Sequence, residues 1–423
     1  MKPEQNKGTV LLVDPMSSGE NYLKFFAQKG WNCTILDTGK VSHLLKPHLK
    51  KQSLNFVQDF NNNLSQLITY LHEHKIDYVI SASEPSVPFV EKLRAKAQLH
   101  YRNVDSLARA RFHKGHMLDA LKKANIPMVD FIWGSNPAEF KEFVENFDFS
   151  TKSLILKPAL GAASIGIHHV KSKEEAQATL EDIFCDEVNY IGKKIKAVVA
   201  QEFFQGKEYV LDTYSYDGHH VLSHSNSYQK HPSSQGTFIY DHSSWLAADE
   251  NIVQQLFNFS VPILESLGIQ NGCSHIEYLV NEAGTVQFVE LNFRPHGGNN
   301  IPFIHHLTGG HCQMWQEVEW ITEQKKPKKT YHLAYHGKYI DMSLAEPIVF
   351  KHYNTEDVFP SSDPRLWARY ARIQTGVKYP ETLDLHDTME LDSFCICAAQ
   401  QSDVDDAEKT IRKNFKRLVA KNR

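Results

Sequence analysis

Residues 274–293, SHIEYLVNEAGTVQFVELNF, alternate apolar and polar side chains in two runs on either side of Ala283-Gly284. Period-two alternation around a glycine-containing turn predicts an antiparallel hairpin. With Ala283 and Gly284 as its loop, Glu277 faces Glu290 and His275 faces Asn292, and opposed residues project from one face. Carboxylates opposed at about 5 Å repel unless a cation or a proton lies between them. The ligand set Glu277, Glu290 and the carboxamide of Asn292 is all oxygen, which suits Mg²⁺ or Mn²⁺ rather than zinc. Mg²⁺ held by few carboxylates completes its shell with water and phosphate oxygens, so the hairpin points to a nucleotide. The alternative is an exposed hairpin with ordinary surface acids and a different loop length. Against it, Glu290, Asn292 and Arg294 continue along one face beside Gly297-Gly298.

Two upstream stretches fit that reading. In LILKPALGAASIGIHHV, Lys157 ends a predicted strand and a small-residue loop follows from Ala159 to Gly166, including Ser164. Small residues let backbone N–H groups approach phosphate oxygens, and the lysine adds a mobile point charge. The spacing of Gly161 and Gly166 imitates the start of a Walker A motif. Ile167 and His168 stand where Lys and Ser/Thr are required, so a P-loop is excluded. The stretch VVAQEFFQGKEYVLD reads as a strand, a bend at Gln205-Gly206 and a second strand. An extended Gln201–Phe204 offers a backbone C=O and N–H to an adenine edge, and Glu208 has the acceptors for two ribose hydroxyls.

The remainder of the chain constrains the class. Its 423 residues are enough for two or three cores, and a formal charge of −4 leaves no electrostatic footprint for nucleic acid or an anionic membrane. TVLLVD at 9–14, NCTILDTG at 32–39 and DYVISASE at 77–84 alternate with helical stretches, the pattern of a parallel, Rossmann-like α/β layer. The turn after the first strand, PMSSGEN, lacks the G-x-G-x-x-G glycines of a dinucleotide site, which argues against a nicotinamide oxidoreductase. DSLARARFHKGHMLDALKKAN, from Asp105, reads as one helical run, and strands predominate beyond Pro127. YQKHPSSQGTFIYDHSS at 228–244 has no periodicity and reads as a mobile surface loop. The six cysteines are too sparse for a disulfide framework, and Cys395 and Cys397 read as same-face core residues of a strand. Val10–Val13 is too short for a signal sequence, so a cytoplasmic protein is expected.

In order along the chain, these residues resemble the ATP-grasp superfamily of carboxylate-amine ligases, as far as about Thr322. The resemblance rests on Lys114, the Lys157–Pro158 strand with Ser164, QEFFQGKE, and the pattern E-x12-E-x-N-x-R-x-x-G-G. Two acids thirteen apart are the spacing of D-alanine-D-alanine ligases and L-amino-acid ligases. The resemblance implies an α/β and α+β architecture: a Rossmann-like domain at 1–104, an ATP-grasp domain at 105–326 with a lid at about 128–204, and a C-terminal α/β domain at 327–423. It implies an ADP-forming ligase with ATP and two Mg²⁺ between the hairpin and the phosphates. Lys114 and Lys157 would hold the phosphates, Glu202 and Phe204 the adenine by backbone, and Glu208 the ribose. The carboxylate of an amino acid or similar small acid would attack the γ-phosphorus to give an acyl phosphate, which an amine, such as that of a second amino acid, would resolve. Arg294, always charged and fork-shaped, is the candidate for gripping the acyl phosphate and the oxyanion. His113 precedes Lys114 where Asp or Asn is usual, and His275 and His296 are candidate bases. A homodimer is allowed for. A biotin-carboxylase-like or purine-biosynthetic enzyme and a non-catalytic ATP-binding regulator are the rival readings.

Overall fold

The computed structural model describes residues 7–53, 64–161, 166–185, 194–234, 238–298 and 300–423. Ser164 lies outside the described residues. The buried run Val10–Val13 forms the centre of a three-stranded parallel sheet, ordered Asn32–Leu36, Thr9–Val13, Tyr78–Ser81. Helices Asn21–Gln28, Leu64–Glu73 and Val87–Lys96 follow its strands, so the alternation read in the sequence is the topology observed. Glu84 sits just beyond the C-terminal end of the third strand, where ligands of parallel sheets bind.

A four-stranded antiparallel sheet, ordered Phe131–Gly134, Val198–Glu202, Leu154–Pro158, His168–Val170, packs against helices Lys141–Asn146 and Lys173–Cys185. Phe140, Val144, Leu156, Leu180, Ile183 and Val198 make its separate core. Each such buried side chain contributes about 1.5–3 kcal/mol relative to exposure.

The largest element is an eight-stranded sheet. Its order is Val286–Asn292, Gly272–Val280, Lys207–Tyr216, His219–Pro232, Phe238–Trp245, His336–Asp341, Ser393–Ala398, Leu366–Tyr370. Its last three strands come from the C-terminal part of the chain and join through the pairing of Ser243 with Tyr339. Helix Gln401–Asn422 covers them with Val404, Ala407, Ile411 and Phe415. Cys395 is fully buried and shares a core with Cys397, and all six cysteines are free. No helix of the described residues is long and apolar enough to cross a membrane.

Two expectations are corrected. Residues 228–244 are not a surface loop: strands His219–Pro232 and Phe238–Trp245 form a hairpin in the middle of the large sheet, with 235–237 outside the described residues. Ser225, Asn226, Ser227 and Ser243 are buried there, so backbone pairing on both sides, rather than apolar alternation, holds these strands. The run from Asp105 is also not one helix. A 3-10 turn at Asp105–Arg111 ends at Phe112, and an α-helix begins at Lys114 and runs to Lys123. Buried Arg111 holds the break, with Nε 2.6 Å from Glu91 Oε2 and Nη1 donating to Leu267 O at 2.8 Å. His113 caps the second helix, its Nδ1 accepting from His116 N–H at 3.4 Å. Lys114 thereby becomes the first residue of that helix.

Candidate functional site

The acidic hairpin reaches its predicted pairing by a different route. Val280 pairs with Val286, so the loop is Asn281–Thr285, closed by Asn281 Oδ1 accepting from Thr285 N–H at 2.9 Å. Gly284 takes φ +79° at its tip, a left-handed conformation that suits glycine. A bulge follows: Tyr278 pairs with Phe288 but Glu277 with Glu290, leaving Val289 as the extra residue. Loop shift and bulge cancel, so Glu277 faces Glu290 and His275 faces Asn292. The bulge has its own use, because Lys157 Nζ donates to the Val289 carbonyl at 3.3 Å.

Both lysines converge on Glu290 from different elements. Lys114 Nζ lies 3.1 Å from Glu290 Oε2 and donates to Gly161 O at 2.7 Å. Asn292 Nδ2 donates to Glu290 Oε1 at 3.1 Å. Burial disfavours the Glu290 carboxylate, but Lys114 and Lys157 outweigh it and hold its pKa at about 2. Burial lowers Lys157 to about 8, only partly offset by Glu290. For Lys114 burial also opposes the charge, but Glu290 and Glu84 outweigh it and raise its pKa. The site is a cluster of opposed charges in a cleft of about 1760 Å³ between the four-stranded and eight-stranded sheets.

The hinge lies along one wall. Gln201 is paired on both sides within the four-stranded sheet and buried, and the Glu202 side chain turns away to Lys152 at 2.8 Å. Glu202 and Phe204 both line the cleft. Phe203 N–H is bonded to Ser153 O at 2.8 Å, whereas Phe204 N–H has no partner among the described residues. A Cβ on Gly206 would lie 2.8 Å from the Val280 backbone, so the bend needs glycine for close approach. Glu208 lines the cleft, paired with Lys230 at 2.7 Å, and Lys230 sits 4.1 Å from the Tyr240 ring centroid.

At the other end of the hairpin, Arg294 Nε lies 3.5 Å from Glu84 Oε2, and Nη1 donates to Pro295 O at 2.9 Å. Beneath the hairpin lies Asp212, which is fully buried. It receives His275 Nδ1 and His296 Nδ1 at 2.9 Å each, with His224 Nε2 at 3.0 Å and Gln313 Nε2 at 3.2 Å. The other ring nitrogen of His275 is 3.4 Å from Glu277 Oε1, so a chain of contacts runs Asp212–His275–Glu277. Burial disfavours protonated His275, yet Asp212 outweighs it and raises the pKa to about 9. In His296 burial prevails and the pKa falls to about 4. Both histidines are held by Asp212, which leaves neither one free as a mobile base.

The structure brings together Lys114, Lys157, Gln201, Glu202, Phe204, Glu208, Glu277, Glu290, Asn292 and Arg294 around one cleft. Glu277, Glu290 and the carboxamide oxygen of Asn292 are a donor set that fits a hard divalent cation, with Asn292 Nδ2 turned to Glu290 and its oxygen left available. Sequence reasoning missed Glu84, Asp212 and Lys230. A signal existed for two of them: Glu84 follows a parallel strand, and Asp212 interrupts the apolar run EYVLDTYS. Lys230 was hidden in the stretch misread as a loop.

Residues 150–302 match the ATP-grasp domain family. Dapdiamide A synthase from Enterobacter agglomerans is 22% identical over 325 residues, covering 76% of this chain and 75% of that protein. D-alanine–D-alanine ligase from Lacticaseibacillus casei is 28% identical over 176 residues, 38% of this chain and 45% of that protein. Among solved structures, L-amino acid ligase from Bacillus licheniformis superimposes with a TM-score of 0.73 at 13% identity, covering 97% of this chain and 98% of that one. An N5-carboxyaminoimidazole ribonucleotide synthetase superimposes with a TM-score of 0.66 at 15% identity, covering 99% of this chain and 100% of that one. Residues 150–302 carry an ATP-grasp domain, and the fold of the L-amino acid ligase extends over nearly the whole chain.

Proposed function

We propose that this protein is an ATP-dependent, ADP-forming ligase that joins an amino acid or similar small carboxylic acid to an amine. The observation that carries the reading is the charge cluster of Lys114, Lys157, Glu277 and Glu290, set beside Arg294 and Glu84 in one cleft. Two lysines over opposed acids suit a polyanion with its metal. An arginine at the end of that track suits the group the polyanion reacts with.

In this reading the triphosphate lies along the hairpin, with Lys114 and Lys157 on its phosphates and the adenine edge against the Glu202 carbonyl and Phe204 N–H. Glu208, balanced by Lys230, faces the ribose. Glu277, Glu290 and Asn292 hold Mg²⁺, as two ions or with Mn²⁺ in their place, and the metal supplies charge neutralisation at the phosphates. The substrate carboxylate attacks the γ-phosphorus, breaking the bond to ADP and giving an acyl phosphate. The amine, having lost a proton, attacks the acyl carbon and phosphate departs. Such chemistry asks the protein for positioning and electrostatics rather than a covalent nucleophile. Arg294 can fork the acyl phosphate, and Glu84 fixes the guanidinium from the N-terminal sheet. The division at 104/105 and 326/327, the lid at 128–204 and a cytoplasmic setting belong to the same proposal.

The fold alone also suits carboxylases of the purine and biotin type, while one sequence relative named above is by name a D-alanine–D-alanine ligase. A phosphate-release screen with ATP, Mg²⁺ and pairs of amino acids, followed by mass spectrometry, separates the readings. ADP with a new amide supports the ligase. AMP with pyrophosphate means adenylation, and phosphate release with bicarbonate alone means a carboxylase-type activity.

A further inference from the structure

The cleft does not end at the nucleotide elements. It continues onto the C-terminal strands, where Tyr339, Asp341, Arg372, Leu385 and Ser393 line it. Strand register explains why. Glu208 pairs with Tyr228, Tyr228 with Ser243, and Ser243 with Tyr339, so one face of the large sheet runs unbroken from the hairpin to these residues. Asp341 then pairs with Ser393, and Ser393 with Tyr370.

Arg372 is held without an acid. Its Nη1 donates to Leu391 O and to Ser393 Oγ, both at 2.8 Å, and its guanidinium lies 5.3 Å from the Tyr370 ring centroid. Asp392 Oδ1 fixes its backbone by accepting from Arg372 N–H at 2.7 Å and Ile373 N–H at 2.9 Å. The Nε and Nη2 of Arg372 have no partner among the described residues. Asp341 is its counterpart: Oδ1 accepts from the same Ser393 hydroxyl at 3.0 Å, and Oδ2 has no partner among the described residues. No salt bridge joins the two charges, which are spaced by one hydroxyl. Burial pushes the Asp341 carboxyl up to about 7 against the opposing Ser393, Arg372 and Arg412, so it is about half ionised at neutral pH and a cation brought beside it favours the charged form.

Opposite charges kept apart by a shared neutral anchor, each with a free edge toward a cleft, are complementary to a zwitterion. We propose that Arg372, Asp341 and Ser393 bind the carboxylate and the ammonium of a free α-amino acid, at a site apart from the reacting groups. Its place relative to the reacting groups rests on the ligase reading. The carboxylate that is phosphorylated must lie at the metal hairpin beside Arg294. The strand of Asp341 lies two strands beyond that of Tyr228, about 10 Å farther across the sheet, so a carboxylate forked by Arg372 is a different one. Leu385 lines the same cleft and adds an apolar group to it.

The test is calorimetric titration of the standard amino acids into the full chain saturated with Mg²⁺ and a non-hydrolysable ATP analogue, repeated with the carboxamide and des-amino forms of each binder. The wild-type protein should prefer the acid over its amide by about 10-fold or more, the scale of a charge-assisted hydrogen bond. Arg372→Gln should bind acid and amide alike, and Asp341→Asn should lose the preference for the amino over the des-amino form. Ser393→Ala keeps both charges and should weaken binding by less than either. Unchanged affinity for the ATP analogue shows that each variant is folded. Survival of the acid-over-amide preference in Arg372→Gln, or wild-type protein that binds no amino acid, overturns the proposal. Zwitterion-selective binding without amide formation from ATP would sink the ligase reading and leave the cradle standing. Ligation together with an acid-over-amide preference retained by Arg372→Gln would do the reverse.

Discussion

Glu290→Gln discriminates between two physical pictures of the acidic hairpin. Two carboxylates facing each other with no cation between them should repel, so removing one ought to stabilise the metal-free protein. The structure says otherwise, because Glu290 is embraced by Lys114 at 3.1 Å, by Asn292 at 3.1 Å and by the field of Lys157. Its pKa is held at about 2 against an ordinary 4.5, a shift worth about 3 kcal/mol at pH 7. A carboxylate with a depressed folded pKa contributes stability above its unfolded pKa and loses it as pH falls through the folded one. The stabilisation is therefore complete above about pH 5 and mostly gone by pH 2. Glu290→Gln should lower the melting midpoint in EDTA at pH 7 by roughly 6–12 °C, if the unit that melts is about 150–250 residues. The gap between wild type and variant should narrow steadily from pH 4.5 toward pH 2. Fluorescence-monitored melts across that range, with and without Mg²⁺ and ADP, measure both effects. A variant as stable as wild type at pH 7 in EDTA would show that repulsion from Glu277 dominates and that the lysine embrace is wrong.

Other outcomes follow from the same geometry. Lys157, lowered to about 8 by burial, is mostly neutral at pH 8.5 in the free protein, so Mg·ADP binding at that pH should take up about three-quarters of a proton. Calorimetry in buffers of different ionisation enthalpy detects the uptake, and its persistence in Lys157→Met would assign it to another group. Asp212→Asn removes the one charge that faces three histidines, which should cost about 3–5 kcal/mol. It should also drop the His275 pKa from about 9 to below 6.5, read by NMR titration of the ring; a pKa unmoved would mean Glu277 alone sustains it. Gly206→Ala brings a Cβ within 2.8 Å of the Val280 backbone and should weaken nucleotide affinity more than it lowers the melting midpoint. Equal effects on both would make Gly206 a packing residue only.

The sequence by itself determined the local chemistry: an all-oxygen hairpin, a lysine at a strand end, a bend at Gln205-Gly206 and a parallel α/β layer without dinucleotide glycines. These are legible because period, turn chemistry and ligand type are short-range properties of the chain. Even there the pairing of Glu277 with Glu290 came out through two compensating departures, a longer loop and a bulge at Val289. Tertiary structure alone decided the rest. Ser225, Asn226, Ser227 and Ser243 form strands because neighbours on both sides satisfy their backbone, which no local pattern announces. Glu84, Lys230, Asp341 and Arg372 reach the cleft from segments far apart in the chain, and the charge that Asp212 shares among three histidines exists only once three strands and a loop have met. Burial and long-range charge set the ionisation of a side chain, and both belong to the folded whole.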